Sequence, residues 1–110
     1  MEQELTVILT ETEKQTALIG RCFCRLQFAE VDLARAVFRE ADLEGARFVQ
    51  TDLHGADFCH ANLRAAEFFL CDLYGADFTE ACLEQATFRR SLGLSSALRT
   101  YIRSRGGRVA

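Results

Sequence analysis

A chain of 110 residues, 49% apolar and 26% charged, is one domain of ordinary globular composition. Its net charge is −3, and no apolar window approaches the length of a membrane span. The N-terminus lacks a basic-then-apolar signal pattern, so a cytoplasmic protein with no membrane partner is expected. The absence of Pro suits a continuous backbone ladder, in which every residue can donate a hydrogen bond. Five Cys is an odd number and contains no C-x-x-C pair.

Residues 1–15 carry four Glu and one Lys. Leu5, Val7 and Leu9 alternate there with Thr6, Ile8 and Thr10, which predicts one strand. That strand either caps the open end of the repetitive region beyond it or exchanges between two protomers. From Thr16 to Leu26 a five-residue register is present but faulty: Leu18, Phe23 and Phe28 hold a large-residue position, while Arg21 and Leu26 sit where a small residue belongs. Burying an unpaired Arg is very costly, so the first coil is irregular or Arg21 lies at its open end. The clean repeat begins near Val31.

From Leu33 to Phe88 every fifth residue is large, and Leu alternates with Phe without a miss. Ala stands two places earlier in most units, with Thr51 and Cys71 as small exceptions. Neither the helical period nor the strand period fits such spacing. A chain that turns a corner at every unit does fit, and four units bring it back above itself after twenty residues. Coils then bond to one another about 4.8 Å apart. Leu33, Leu53 and Leu73 form one column of the core, and Leu43, Leu63 and Leu83 the opposite one. Phe38, Phe58 and Phe78 face the column made by Phe28, Phe48, Phe68 and Phe88. Each layer thus holds two Leu and two Phe, and the constant volume permits dense packing.

Past Ser91 the repeat stops, and Gly93 stands where Leu or Phe should recur. Ser95 and Ser96 offer a helix N-cap, and Leu94, Leu98, Tyr101 and Ile102 fall on one helical face. Arg99, Arg103 and Arg105 lie toward its negative end, and Gly106–Gly107 stops it. The apolar face is covered by the last coil or by a partner. The tail after Gly106 is expected to be mobile.

The units ADLEG, ADFCH, ANLRA, CDLYG and ADFTE resemble the A-[DN]-[LF]-x-x motif of the pentapeptide-repeat proteins. The resemblance covers about residues 16–90. It implies an all-β solenoid, a right-handed quadrilateral β-helix of about four coils. An N-terminal cap (1–15) and a short C-terminal α-helix with a basic tail (91–110) would complete it. In this family such helices can mediate dimers.

No catalytic constellation emerges: the serines Ser91, Ser95, Ser96 and Ser104 lie outside the repeat, and His54 and His60 fall on adjacent sides. Cys71 points inward, and Cys22, Cys24, Cys59 and Cys82 fall outward on three different sides. No enzymatic activity, cofactor or metal is therefore expected. An Asp just before the central residue can accept hydrogen bonds from turn N–H groups, a structural role for Asp32, Asp42, Asp52, Asp57, Asp72 and Asp77. Residues 16–88 hold twelve acids against six bases, whereas residues 89–110 hold six Arg and no acid.

An outward apolar column, Val49 and Phe69, with Leu70 following and Tyr74 one side over, suggests a protein contact. A second candidate contact is the helix face of Leu94, Leu98, Tyr101 and Ile102. Together they indicate a self-associating scaffold for protein–protein interaction, a homodimer through the helix or the apolar side. The alternative, implied by resemblance to the quinolone-resistance branch, is a DNA-mimicking modulator of a type II topoisomerase. Direct nucleic-acid binding by the Arg-rich end runs against the acidic body.

Overall fold

The computed structural model describes residues 18–110 and the backbone of Gln3–Leu5. Six short strands form one parallel sheet in chain order: β1 (Gln3–Leu5), β2 (Leu26–Ala29), β3 (Arg47–Val49), β4 (Glu67–Phe69), β5 (Thr87–Arg89) and β6 (Arg108–Val109). Among the described residues one helix, α1 (Ser96–Ser104), lies between the last two strands. Phe28 pairs with Phe48, Phe48 with Phe68 and Phe68 with Phe88, so the chain returns over itself every twenty residues. Isolated bridges repeat that interval along three further lines: Cys22–Asp42–Asn62–Cys82, Asp32–Asp52–Asp72–Leu92 and Val37–Asp57–Asp77. Four ladders make a four-sided tube.

The core is the one the five-residue pattern calls for. Phe48 and Phe68 stack with ring centroids 4.8 Å apart and planes 6° from parallel. Phe38 and Phe58 stack at 5.2 Å in the facing column. Across the tube the two columns meet edge to face, with Phe48 and Phe58 at 6.0 Å and 82°. Each ring therefore has parallel partners along the axis and perpendicular ones beside it, the two favoured aromatic geometries. Leu33, Leu43, Leu53, Leu63, Leu73 and Leu83 fill the other two columns and are buried, as are Phe78 and Phe88.

Corners follow one rule. Every fifth residue from Gly20 to Arg90 has positive φ, and in eleven cases it is not glycine. On three of the sides the turn closes with a bond of the type Ala46 N–H to Leu43 O, 3.0 Å. A positive φ at the third residue is what a type II turn requires. On the fourth side the carbonyls of Phe28 and Phe48 accept side-chain donors from the coil above. Thr51 Oγ donates to Phe28 O at 3.0 Å and Cys71 Sγ to Phe48 O at 3.2 Å. Thr51 and Cys71, standing where most units have Ala, thus each carry a donor that Ala lacks.

At the N-terminal end, β1 pairs with β2 inside the same chain, Leu5 opposite Phe28. The remainder of the expected strand, Thr6–Thr10, lies outside the described residues. Arg21 is exposed, which removes the cost of burying it. Ladder bonds begin earlier than Val31, with Gly20 N–H donating to Arg39 O at 2.9 Å.

The C-terminal end corrects an expectation. Residues after Gly106 form a strand: Arg108 N–H donates to Ala86 O and Ala110 N–H to Phe88 O. The exposed upper edge of β5 offers a row of unpaired groups, and the tail satisfies them. Helix α1, N-capped by Ser95 as expected, replaces the intervening corners.

Candidate functional site

The outward positions of interest gather around one corner. Val49 and Phe69 are paired in register and half-buried, and the Arg89 guanidinium lies 5.4 Å from the Phe69 ring centre. Leu70, at the corner itself, is 42% exposed, and Tyr74, at the far end of the next side, is 60% exposed. Leu92 is also 60% exposed and pairs with Asp72 between them. Sequence reasoning missed Leu92 because Gly93 broke the pattern. Counting in fives one unit further would have put Leu92 where the aspartates stand.

Leu70 is unusual in a second way. Its φ is +57°, and the other corners carry Gly, Arg, Glu, Gln, His or Ala. Leucine there bears the left-handed backbone cost of about 1–2 kcal/mol and the cost of exposure together. The corner requires the left-handed backbone but not an apolar side chain.

The helix face lands elsewhere than in a partner. Ile102 is 0% exposed and Leu94 is buried, both within the chain's own core cluster, because α1 closes the end of the tube. These two residues offer no surface, which corrects their assignment as contacts. Leu98 and Tyr101 are half-buried and line an open groove of about 600 Å³ between α1 and Gly75–Thr79. The Tyr101 hydroxyl accepts from the Glu80 N–H at 3.0 Å.

The acidic ladders are held by their own turns. Asp72 Oδ1 accepts from Tyr74 N–H at 3.1 Å, Asp57 Oδ1 from Cys59 N–H at 2.8 Å and Asp77 Oδ1 from Thr79 N–H at 2.9 Å. Bonds from the Thr79 hydroxyl and N–H hold Asp77 below the usual carboxylate range. Burial pushes Asp57 up, but bonds from Cys59 and the Arg39 guanidinium, at 2.7 Å, outweigh it and the net shift is downward.

Since the residue after the central one lies beside the Asp-type position of its own unit, side chains two apart share a side. With the Asp-type position of the next coil they make a cup of three groups. Among the described residues three cups hold donors within 4.8 Å of one another: Cys22–Cys24–Asp42, Asp52–His54–Asp72 and Asp57–Cys59–Asp77. Cys22 and Cys24 therefore do converge, Sγ to Sγ 2.8 Å, contrary to the expectation that the outward cysteines stay apart. Hydrogen bonding to Cys22 is the main reason the Cys24 thiol is pushed up to about 12. Burial, then bonds to Asp57 and Asp77, pushes Cys59 up to about 12.

Residues 22–96 match the family described as pentapeptide repeat region. No curated protein sequence matches the chain. Among solved structures, QnrB1, a plasmid-mediated fluoroquinolone resistance protein, is similar at 20% identity and a TM-score of 0.45, over 82% of this chain and 50% of that one. The pentapeptide repeat protein Rfr23 from the cyanobacterium Cyanothece 51142 is similar at 21% identity and a TM-score of 0.36, over 81% of this chain and 60% of that one. The alignments thus span only about half to three fifths of these solved relatives. No described helix is long and apolar enough to cross a membrane.

Proposed function

The chain belongs to the pentapeptide repeat family, and on that premise we propose a non-enzymatic scaffold that binds protein, its first partner a second copy of itself. Within this reading, residues 16–90 form a right-handed tube of about four coils, closed by residues 1–15 and 91–110. The setting is cytoplasmic, in keeping with five free cysteines.

One observation carries the proposal: Leu70, Tyr74 and Leu92 are large apolar or aromatic side chains left exposed on one corner and its adjoining side. Single exposed apolar residues need no explanation, but a cluster does. Charge names the occupant. The Asp52–Asp72 ladder runs up into the cluster beneath Leu92, and Arg89 and Arg90, the start of the basic end, precede Leu92 in its own coil. Two copies related by a two-fold axis through the cluster set each basic end against the other's acidic ladder. Leu98 and Tyr101, at the groove beside α1, form the edge of the same contact.

Sedimentation velocity tests it. The wild-type chain is expected to run as a dimer, and Leu70→Asp and Leu92→Asp as folded monomers. A monomeric wild type, or a dimer indifferent to both changes, overturns self-association through this surface.

A second reading, modulation of a type II topoisomerase by DNA mimicry, is favoured by the carboxylates stacked in register along Asp32–Asp52–Asp72 and Asp57–Asp77. Their engagement in turn bonds and the basic end weigh against it. Purified gyrase decides: unchanged supercoiling in the presence of the protein retires that reading.

A further inference from the structure

We propose that Cys22, Cys24 and Asp42 form a binding site for a soft divalent cation of the zinc and cadmium class. The three cups share one backbone geometry and differ in chemistry, and their surroundings decide which of them is open to a cation. In the Asp57–Cys59–Asp77 cup, Cys59 is buried between two carboxylates and Arg39 already neutralises Asp57. In the Asp52–His54–Asp72 cup, His54 Nδ1 is engaged with Asp52 at 2.8 Å, and the Arg35 guanidinium lies 3.3 Å from Nε2. A guanidinium at the rim repels a metal ion.

The Cys22–Cys24–Asp42 cup has the opposite surroundings. Cys22 is exposed and Cys24 half-exposed, so an ion can reach both sulfurs from solvent. Asp42 comes from the next coil, paired in register with Cys22. Its Oδ1 is fixed by Glu44 N–H at 3.2 Å and Asn62 Nδ2 at 3.2 Å, a support for the ligating carboxylate. Asn62 Nδ2 also holds the Glu44 carboxylate nearby, at 3.4 Å, which adds negative charge.

Two sulfurs and one oxygen select a thiophilic cation over magnesium or calcium. Zinc–sulfur bonds of about 2.3 Å at the tetrahedral angle place two sulfurs about 3.8 Å apart, so the pair must open by about 1 Å from 2.8 Å through rotation of the two side chains. Two metal–thiolate bonds form as two S–H bonds break, and both protons leave to solvent. The fourth position of a tetrahedral ion stays open to water.

Cadmium supplies the probe, because its thiolate bonds absorb in the near ultraviolet. Titration of the full, reduced chain is expected to raise that band to saturation at one ion per chain, with release of protons. Cys22→Ser and Cys24→Ser are expected to abolish it, Cys59→Ser and Cys82→Ser to leave it, and Asp42→Asn to weaken binding while keeping the band. Circular dichroism checks that each variant is folded. Absence of the band in the wild type, its survival in a chain carrying both Cys22→Ser and Cys24→Ser, or unchanged affinity in folded Asp42→Asn overturns the site.

Discussion

The middle of the tube and its C-terminal end meet the same demand, that every backbone group of a coil find a partner, by different means. Between Leu33 and Phe88 the register is fixed by side chains: each ring stacks on the ring twenty residues away, and a slip by one residue would turn the core outward. At the end no such column exists. There β6 pairs with β5 at an interval of 21 residues, Thr87 with Arg108. That interval is set by α1, whose Ile102 plugs the last layer, and by close backbone passages. A Cβ on Gly93 would lie 2.4 Å from Tyr74 N, and one on Gly107 2.6 Å from Ile102 Cγ2. Repetition tolerates a local fault because the neighbouring layers restate the rule. The cap states its rule once.

Substitutions at matched depth separate the two. Phe68→Ala is expected to cost about 3–5 kcal/mol and to lower the midpoint of the whole denaturant transition. Ile102→Ala removes less volume, about 2–5 kcal/mol, and its effect should be local. Amide exchange at Arg108 and Ala110, which bond to Ala86 and Phe88, should accelerate while Leu53 and Leu63 stay protected. Equal acceleration at all four sites would mean that body and cap unfold as one unit. Next in size is Thr51→Val, which keeps the shape and removes the donor to Phe28 O, for about 1–3 kcal/mol by chemical denaturation.

Acid provides a gentler probe of the body. Asp57 and Asp77 have folded values depressed below 3.8, so they bind fewer protons folded than unfolded. Their contribution is fully present above the unfolded value and is lost as pH falls through the lower folded values. Stability between pH 5 and neutrality should be flat with respect to these two groups. Asp57→Asn with Asp77→Asn should flatten the acid limb in a pH series of urea melts. The smallest effect should be a gain. Leu70→Gly relieves the left-handed leucine and is expected to raise stability by about 0.5–1 kcal/mol while weakening the dimer. A loss of stability there would show that Leu70 serves the fold and not a contact.

The body was legible because one period governs both core and ladder, so locating Phe48 and Phe68 located everything between. The left-handed corners were less visible. Glycine marks only Gly20, Gly45, Gly55 and Gly75 among them, and Glu40 or Arg35 gives no hint of positive φ. The cap was half legible. Ser95 and the spacing of Leu98 and Ile102 declare a helix, but a two-residue strand at Arg108–Val109 is shorter than any pattern that alternation can reveal. For the candidate site, Phe69, Leu70 and Tyr74 stood out as apolar residues at polar positions. Leu92 did not, since its meaning depends on pairing with Asp72. The Cys22–Cys24 contact was hidden for a related reason: spacing by two reads as a shared side only once the turn geometry is known.

Equal filling of every layer has a consequence for how such a molecule changes size. A storey containing two Leu and two Phe fits beneath or above any other, so a duplicated stretch of twenty residues, such as 41–60, could be inserted without disturbing its neighbours. An insertion of an odd number of five-residue units would put Phe over Leu, and a length not divisible by five would throw a corner out of line. Length in this architecture is quantised, and a gene encoding it grows by pairs of units, half a floor at a time.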